Sequence, residues 1–111
     1  MRHLKYLFMG LALLSPVVLF AGQIYGTLTS AGRPVARAAV EIKCGENVTQ
    51  GTTASDGSYR INVQQSGQCT LSLPGYTGRP SAVVFSFPNP SQFDFELIGP
   101  DARGNYVLRK R

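Results

Sequence analysis

The sequence predicts an all-β protein, a single small Greek-key β-sandwich of seven to eight antiparallel strands that is preceded by a signal peptide. Apolar and polar residues alternate over short segments, which is the period of a strand with one buried face. The 12 glycines and 7 prolines lie largely between those segments, at turn-like positions. A length of 111 residues fits one domain.

The first 21 residues are predicted to be a secretory signal peptide. A basic segment at residues 1–5 precedes an almost unbroken apolar run at residues 6–14, and the small residue Ala21 precedes the expected cleavage site. The whole apolar segment, residues 6–21, has 16 residues and is interrupted by Pro16. It is shorter than the roughly 20 residues that span a bilayer, so we expect no transmembrane anchor. The domain is then residues 22–111, and its expected location is periplasmic or extracellular.

The charges of this domain argue against nucleic acid as a partner. Nine basic and six acidic residues lie in 22–111, and the last three, 109–111, are all basic. Residues 22–108 are therefore balanced, and lack the basic surface typical of nucleic-acid-binding proteins. The one histidine, His3, belongs to the signal peptide. The domain thus lacks the commonest general base and imidazole metal ligand, and we expect no catalytic residues, metal or cofactor.

Cys44 and Cys69 are predicted to form a disulfide bond. Exported proteins fold in an oxidising compartment, where an even number of cysteines indicates pairing. A redox-active pair is the alternative, but such pairs are usually close in sequence, as in C-x-x-C. Closing a loop of roughly 25 residues is expected to stabilise the domain by about 3–4 kcal/mol.

The first half of the domain contains four predicted strands with turns between them. The strands are predicted at 23–29, 38–44, 48–53 and 59–63. The third of these is polar, so we expect it at a sheet edge. Asp56-Gly57 is predicted to form a tight hairpin turn, because this dipeptide tolerates positive φ. Tyr59, Ile61 and Val63 are predicted to face the core.

The second half is richer in aromatic residues. Cys69, Leu71 and Leu73 form a further apolar face, and an irregular loop, 74–80, follows it. A hairpin is then predicted, with strands at 83–87 and 93–97, and a final strand at 106–109. We expect its four phenylalanines in the sandwich core, with an apolar ligand groove as the alternative; they are Phe85, Phe87, Phe93 and Phe95.

Candidate functional residues are few. Tyr76 and Arg79 lie in loop 74–80, which we predict to be a binding loop because loops on rigid sandwiches often carry function. Asp94 and Glu96 share a strand face, beside Arg103 or Arg109 if the last strand pairs there. We interpret them as a solvated polar face, with a cation site or paired-carboxylate chemistry as alternatives. Asn47 begins an N-x-T glycosylation triplet, relevant only in a eukaryotic secretory pathway.

Two motifs resemble the carboxypeptidase regulatory-like domain family, which has a transthyretin-like (prealbumin-like) β-sandwich. The first is Gly26-x5-Gly32-x-Pro34-Val35-x-x-Ala38-x-Val40-x-Ile42, and the second is Thr52-Thr-Ala-Ser-Asp56-Gly57-Ser-Tyr59-Arg-Ile61. The resemblance covers residues 24–73. It implies turn and core roles for these residues and no catalytic chemistry. Hydrolases related to transthyretin use histidines and a terminal Tyr-Arg-Gly-Ser, and residues 22–111 contain neither.

The sequence therefore predicts a non-catalytic secreted or periplasmic module with a structural or binding role. The expected partner is a protein or a cell-envelope polysaccharide. The alternative is a carrier of a small apolar ligand, by analogy of fold with transthyretin. A small enzyme acting through Asp94 and Glu96 is the third hypothesis.

Overall fold

The computed structural model describes residues 22–111, and the predicted signal peptide lies outside the described residues. These residues form ten strands and no helix, which confirms the all-β class. Two of the strands, β2 and β8, are only two residues long, and the other eight match the predicted number. The strands are β1 (Gly22–Ser30), β2 (Arg33–Pro34), β3 (Ala39–Cys44), β4 (Asn47–Thr52), β5 (Ser58–Val63), β6 (Gly67–Ser72), β7 (Ser81–Ser86), β8 (Ser91–Gln92), β9 (Phe95–Ile98) and β10 (Val107–Lys110).

The strands form two sheets that pack as a small sandwich. Sheet I has the order β10-β9-β1-β2, with β5 and β8 also paired to β1, and sheet II has the order β4-β3-β6-β7. Pairing is antiparallel except where β8 and β9 run parallel to β1. The prediction of wholly antiparallel strands was wrong there, because the chain crosses from β7 in sheet II to sheet I and enters it in the direction of β1.

The core lies between the sheets and follows the predicted alternation. The inward positions of β5, β6 and the 93–97 segment are buried, which confirms three predicted apolar faces. Those faces consist of Tyr59, Ile61 and Val63; Cys69, Leu71 and Leu73; and Phe93, Phe95 and Leu97. They pack in one cluster with the buried residues of β1 and β3. Burial of apolar area is the main favourable term for such a domain.

The Asp56-Gly57 turn is present, but it does not form the predicted hairpin. Gly57 has φ 84°, a conformation that favours glycine, and its carbonyl accepts a hydrogen bond from Leu28 N at 2.9 Å. The Asp56 carboxylate accepts hydrogen bonds from Ser58 Oγ and N, and these bonds lower the pKa of Asp56. The flanking strands, β4 and β5, belong to different sheets. The turn therefore carries the chain across the sandwich.

The predicted phenylalanine-rich hairpin is not formed. β7 pairs with β6 in sheet II, while β9 pairs with β1 and β10 in sheet I. Phe93 and Phe95 are buried as expected, at 8% and 0% exposure. Phe85 and Phe87 are 40% and 51% exposed, so their predicted core position was wrong.

Within the core, Tyr59 on β5 links this strand to the segment before β9, on the other side of β1. Its hydroxyl donates a 2.5 Å hydrogen bond to the carbonyl oxygen of Phe93. A side chain at Gly26 would collide with the same carbonyl, so the close approach of Phe93 to β1 requires glycine at position 26. Burial, and secondarily the negative charge of Asp94, raise the pKa of the Tyr59 hydroxyl above its ordinary value of 10.0.

We expect Tyr59 to make the domain sensitive to alkaline pH. Its pKa is raised in the folded state, so the folded protein retains a proton that the unfolded chain releases above about pH 10. Stability from this group is complete below that pH and falls by up to about 1.4 kcal/mol for each pH unit above it. Chemical denaturation of the wild type and of Tyr59→Phe at a series of pH values from neutral to 11 measures the effect. The difference between the two proteins should be constant below about pH 10 and shrink above it; parallel curves throughout would contradict the assignment.

A disulfide bond joins Cys44 and Cys69, as predicted. Lys43 is opposite Thr70 in the β3–β6 pairing, so the two cysteines occupy the next opposed positions, and their Cα atoms are 4.4 Å apart. Both are buried in the core cluster. A buried disulfide fits an oxidising, exported location. Within residues 22–111, no helix is long and apolar enough to cross a membrane.

Candidate functional site

The most unusual surface of the domain is a strip of apolar side chains on β7 and just beyond its end. We call Val83, Phe85 and Phe87 the β7 patch. Their side chains are 49%, 40% and 51% exposed. The rings of Phe85 and Phe87 are stacked, with centroids 6.2 Å apart and planes inclined by 18°. Contiguous exposed apolar residues on a soluble domain are typical of interaction sites.

The pairing of β7 with β6 explains why these side chains face outward. Directly opposed residues of antiparallel strands point to the same side of the sheet. Val84 is opposite the buried Cys69, so Val84 also points into the core, at 0% exposure. The alternate residues of β7, Val83 and Phe85, are opposite Thr70 and Gln68 and share their outward direction.

The start of β1 limits the space at the inward position Ser86. Ser86 is fully buried, and a side chain at Gly22 would collide with Ser86 Oγ and with the Phe87 carbonyl. A register shifted by one residue would place phenylalanine where this small side chain now lies. The shift would also expose Val84, since a slip of one position reverses every side chain of a strand. Close packing against Gly22 therefore holds the phenylalanines on the outer face.

β7 is also an edge strand. It forms strand pairs with β6 and with no other of the described strands, so one side of its backbone is unpaired. Natural edge strands usually carry charged residues or bulges that prevent association. The span 80–93, which contains β7, has no charged residue. Exposed apolar side chains and unpaired backbone groups thus occur on the same strand.

The rest of the outer face of sheet II is mainly polar. From Val83 the opposed residues across the sheet are Thr70, Lys43 and Val48, in that order. Val48 lies on β4, the predicted polar edge strand, and is 50% exposed. It is separated from the β7 patch by Thr70 and Lys43. The apolar surface is therefore concentrated at the β7 edge, and Val48 provides an internal control at the opposite edge.

The predicted binding residues Tyr76 and Arg79 are both held by contacts within the domain. Tyr76 is half-buried and packs edge-on against Tyr106, with ring centroids 5.1 Å apart. Arg79 is exposed and forms an ion pair with Glu41 at 2.5 Å, on the outer face of sheet II. A backbone hydrogen bond of 2.9 Å from Tyr106 N to the Thr77 carbonyl fixes the loop further. Loop 74–80 thus borders the face that carries the β7 patch.

Asp94 and Glu96 bind different partners. Glu96 forms a 2.5 Å ion pair with Arg109, directly opposite it on β10. Of the two arginines considered for this face, Arg103 and Arg109, it is therefore Arg109 that pairs with Glu96. Asp94 accepts hydrogen bonds from Thr27 N at 2.9 Å and from Thr27 Oγ1 at 3.2 Å. Its other oxygen accepts one from Gln92 at 3.1 Å. Both carboxylates therefore serve local hydrogen bonding between neighbouring strands.

Two features of the described part of the chain bear on chemistry. Across residues 22–111, no group of three or more His, Cys, Asp or Glu side chains is arranged to hold a metal ion. The same residues form no pocket. Asn47, the start of the glycosylation triplet, is exposed at the beginning of β4.

Comparison with known proteins gives no assignment. No protein-family model matches the sequence, and no curated protein is significantly similar to it.

Proposed function

We propose that the protein is a non-catalytic, exported binding module whose partner contacts the β7 patch. The observation that carries this proposal is the exposure of Val83, Phe85 and Phe87 on an unpaired edge strand. Export is supported by the predicted signal peptide and by the buried disulfide. The location we propose is the periplasm or the extracellular medium.

The chemistry of the β7 patch favours a protein partner over an envelope polysaccharide. An edge strand can hydrogen-bond an added strand through its backbone, while alternate side chains provide apolar contacts. A phenylalanine can stack on a sugar ring, but glycan hydroxyls also need hydrogen-bonding side chains. The three side chains of the patch offer none. Neighbouring Thr70 and Gln68 are the nearest polar groups in the strand pairing.

The alternative function, carriage of a small apolar ligand, stays a prediction. Ligand sites are usually concave and enclose most of the ligand surface. The β7 patch lies on the outer face of a sheet, and no pocket is present in residues 22–111. We therefore base the proposal on protein binding.

We also propose that the domain is a distant relative of the carboxypeptidase regulatory-like family. The residues that carry the resemblance have the turn and core roles it implies. Gly32 and Gly57 have positive φ in turns, and Tyr59 and Ile61 are buried. The two-sheet architecture supports this relationship.

Site-specific photo-crosslinking tests the proposed function. A photoreactive phenylalanine analogue placed at position 85 should form adducts with a protein in the native envelope or secreted fraction. The same analogue at position 48, similarly exposed on the opposite edge of sheet II, is the matched control. Mass spectrometry identifies the adducts. Equal labelling from both positions, or none from position 85, would refute the proposal.

A further inference from the structure

The edge strands of the sandwich differ in charge. In sheet I, β10 carries Arg109 and Lys110, and the outward row of β5 carries Arg60. In sheet II, β4 has no charged residue, and its side chains are polar apart from Val48. β7 is the edge strand in the described chain that is both uncharged and apolar on its exposed face.

We propose that β7 pairs antiparallel with β7 of a second copy of this chain, so that two copies of sheet II join into one eight-stranded sheet. This inference rests on the proposed function, since it names the partner of the same surface. Two copies related by a two-fold axis use the same patch on both sides, and each residue near the axis lies close to its own copy. A strand that pairs with itself must therefore be free of charge near the axis. β7 meets this requirement, and β10 does not.

The β7 patch is complementary to itself. An antiparallel two-fold axis through Phe85 places the two Phe85 side chains opposite each other and Val83 opposite Phe87 of the second copy. An axis through Val84 places Val83 opposite Phe85 of the second copy. Both arrangements put apolar side chains together on the outer face, where aromatic and β-branched pairs across strands are favourable. Pairing also satisfies the unpaired backbone groups of this edge.

The size of the contact sets the strength of association. β7 has 6 residues and the patch has three large side chains, so the contact is well below the roughly 1,600 Å² of a standard interface. Contacts below about 1,200 Å² are typical of weak, transient association. We therefore expect a dimer in equilibrium with monomer at micromolar or higher concentration.

Sedimentation velocity of the oxidised protein tests this inference. Over concentrations from about 1 μM to about 1 mM, the wild type should shift from monomer to dimer. Phe85→Lys places two like charges at the joint and should weaken the dimer at least tenfold. Val48→Lys adds the same charge at the opposite edge and should dimerise like the wild type. Thermal melting of both variants, with midpoints near that of the wild type, shows that each is folded.

Cysteine crosslinking locates the axis. Single Val83→Cys, Phe85→Cys and Phe87→Cys variants, with the native disulfide intact, should form covalent dimers only next to the axis, because distant cysteines cannot bridge. Phe85→Cys alone should crosslink if the axis passes through Phe85, and Val83→Cys and Phe85→Cys should crosslink equally if it passes through Val84. Val48→Cys should not form such dimers.

A wild type that stays monomeric at all concentrations, or a dimer that Phe85→Lys leaves unchanged, would overturn self-pairing. If the protein stays monomeric but position 85 crosslinks a different protein, self-pairing is refuted and the proposed function stands. If the protein stays monomeric and position 85 crosslinks no protein, both self-pairing and the proposed function are refuted.

Discussion

Replacing Phe95 with alanine should lower the free energy of unfolding by about 3–5 kcal/mol, the range for truncating a fully buried phenylalanine. Phe95 is 0% exposed in the centre of the core, opposite Leu28 of β1 and Lys110 of β10. Its loss removes apolar contacts and leaves a cavity between the sheets. Domains of this size are stable by about 5–15 kcal/mol, so the change removes a large share of the total. Urea denaturation followed by circular dichroism measures it.

The matched control is Phe85→Ala, the same substitution on the outer face. Phe85 is 40% exposed, and its main aromatic contact is the stacked ring of Phe87. We expect a loss of about 1 kcal/mol or less, since substitutions at exposed positions are usually small. Comparable losses at positions 85 and 95 would mean that both phenylalanines are in the core, and that the outward orientation of the β7 patch is wrong.

Removing the disulfide should lower stability by about 3–4 kcal/mol. The bond closes a loop with a sequence separation of 25 residues, and restricting the unfolded chain accounts for most of the expected effect. For a domain of under about 100 residues, each kcal/mol shifts the melting temperature by roughly 4–8 °C. Calorimetry of the Cys44→Ala/Cys69→Ala double variant should therefore show a melting temperature at least about 12 °C below that of the oxidised wild type.

Reduction of the wild type provides the control for this variant. Reduced wild type and the double variant should melt at similar temperatures, because both lack the crosslink. The double variant in the presence of reductant should melt as it does without it. A midpoint that reductant leaves unchanged in the wild type would show that Cys44 and Cys69 are not crosslinked in solution, and would remove the structural support for export.

Much of the fold was predictable because most strands have unambiguous alternation. Arg60 and Asn62 separate Tyr59, Ile61 and Val63, so only one face of β5 can be buried. The expected position of the last strand placed either Arg103 or Arg109 beside Glu96, and the strand register decides for Arg109. Local turn chemistry also predicted the Asp56-Gly57 turn. It gave no information on which sheet the chain enters afterwards, since that depends on contacts distant in sequence.

The β7 patch was not predictable from local pattern. Both alternate rows of the 82–87 segment suit a core: one row holds Ala82, Val84 and Ser86, and the other holds Val83, Phe85 and Phe87. The larger row was predicted to be buried because it alternates with Ser86, as in a strand with one buried face. Pairing with the cysteine-bearing strand β6 and contact with Gly22 select the smaller row. The burial of Ser86 between two phenylalanines is visible only in the folded structure.

The position of β1 determines the order in which the molecule can be completed. β1 is the first described strand of the chain, yet it pairs with β9, which comes near the end. In this pairing Leu28 of β1 is opposite Phe95 of β9. All four strands of sheet II lie before residue 87 of the chain, whereas sheet I also needs β8, β9 and β10, which come later. Both cysteines belong to the part that is synthesised earlier. The crosslink can therefore form before the sandwich closes, and closure waits for the final segment of the chain.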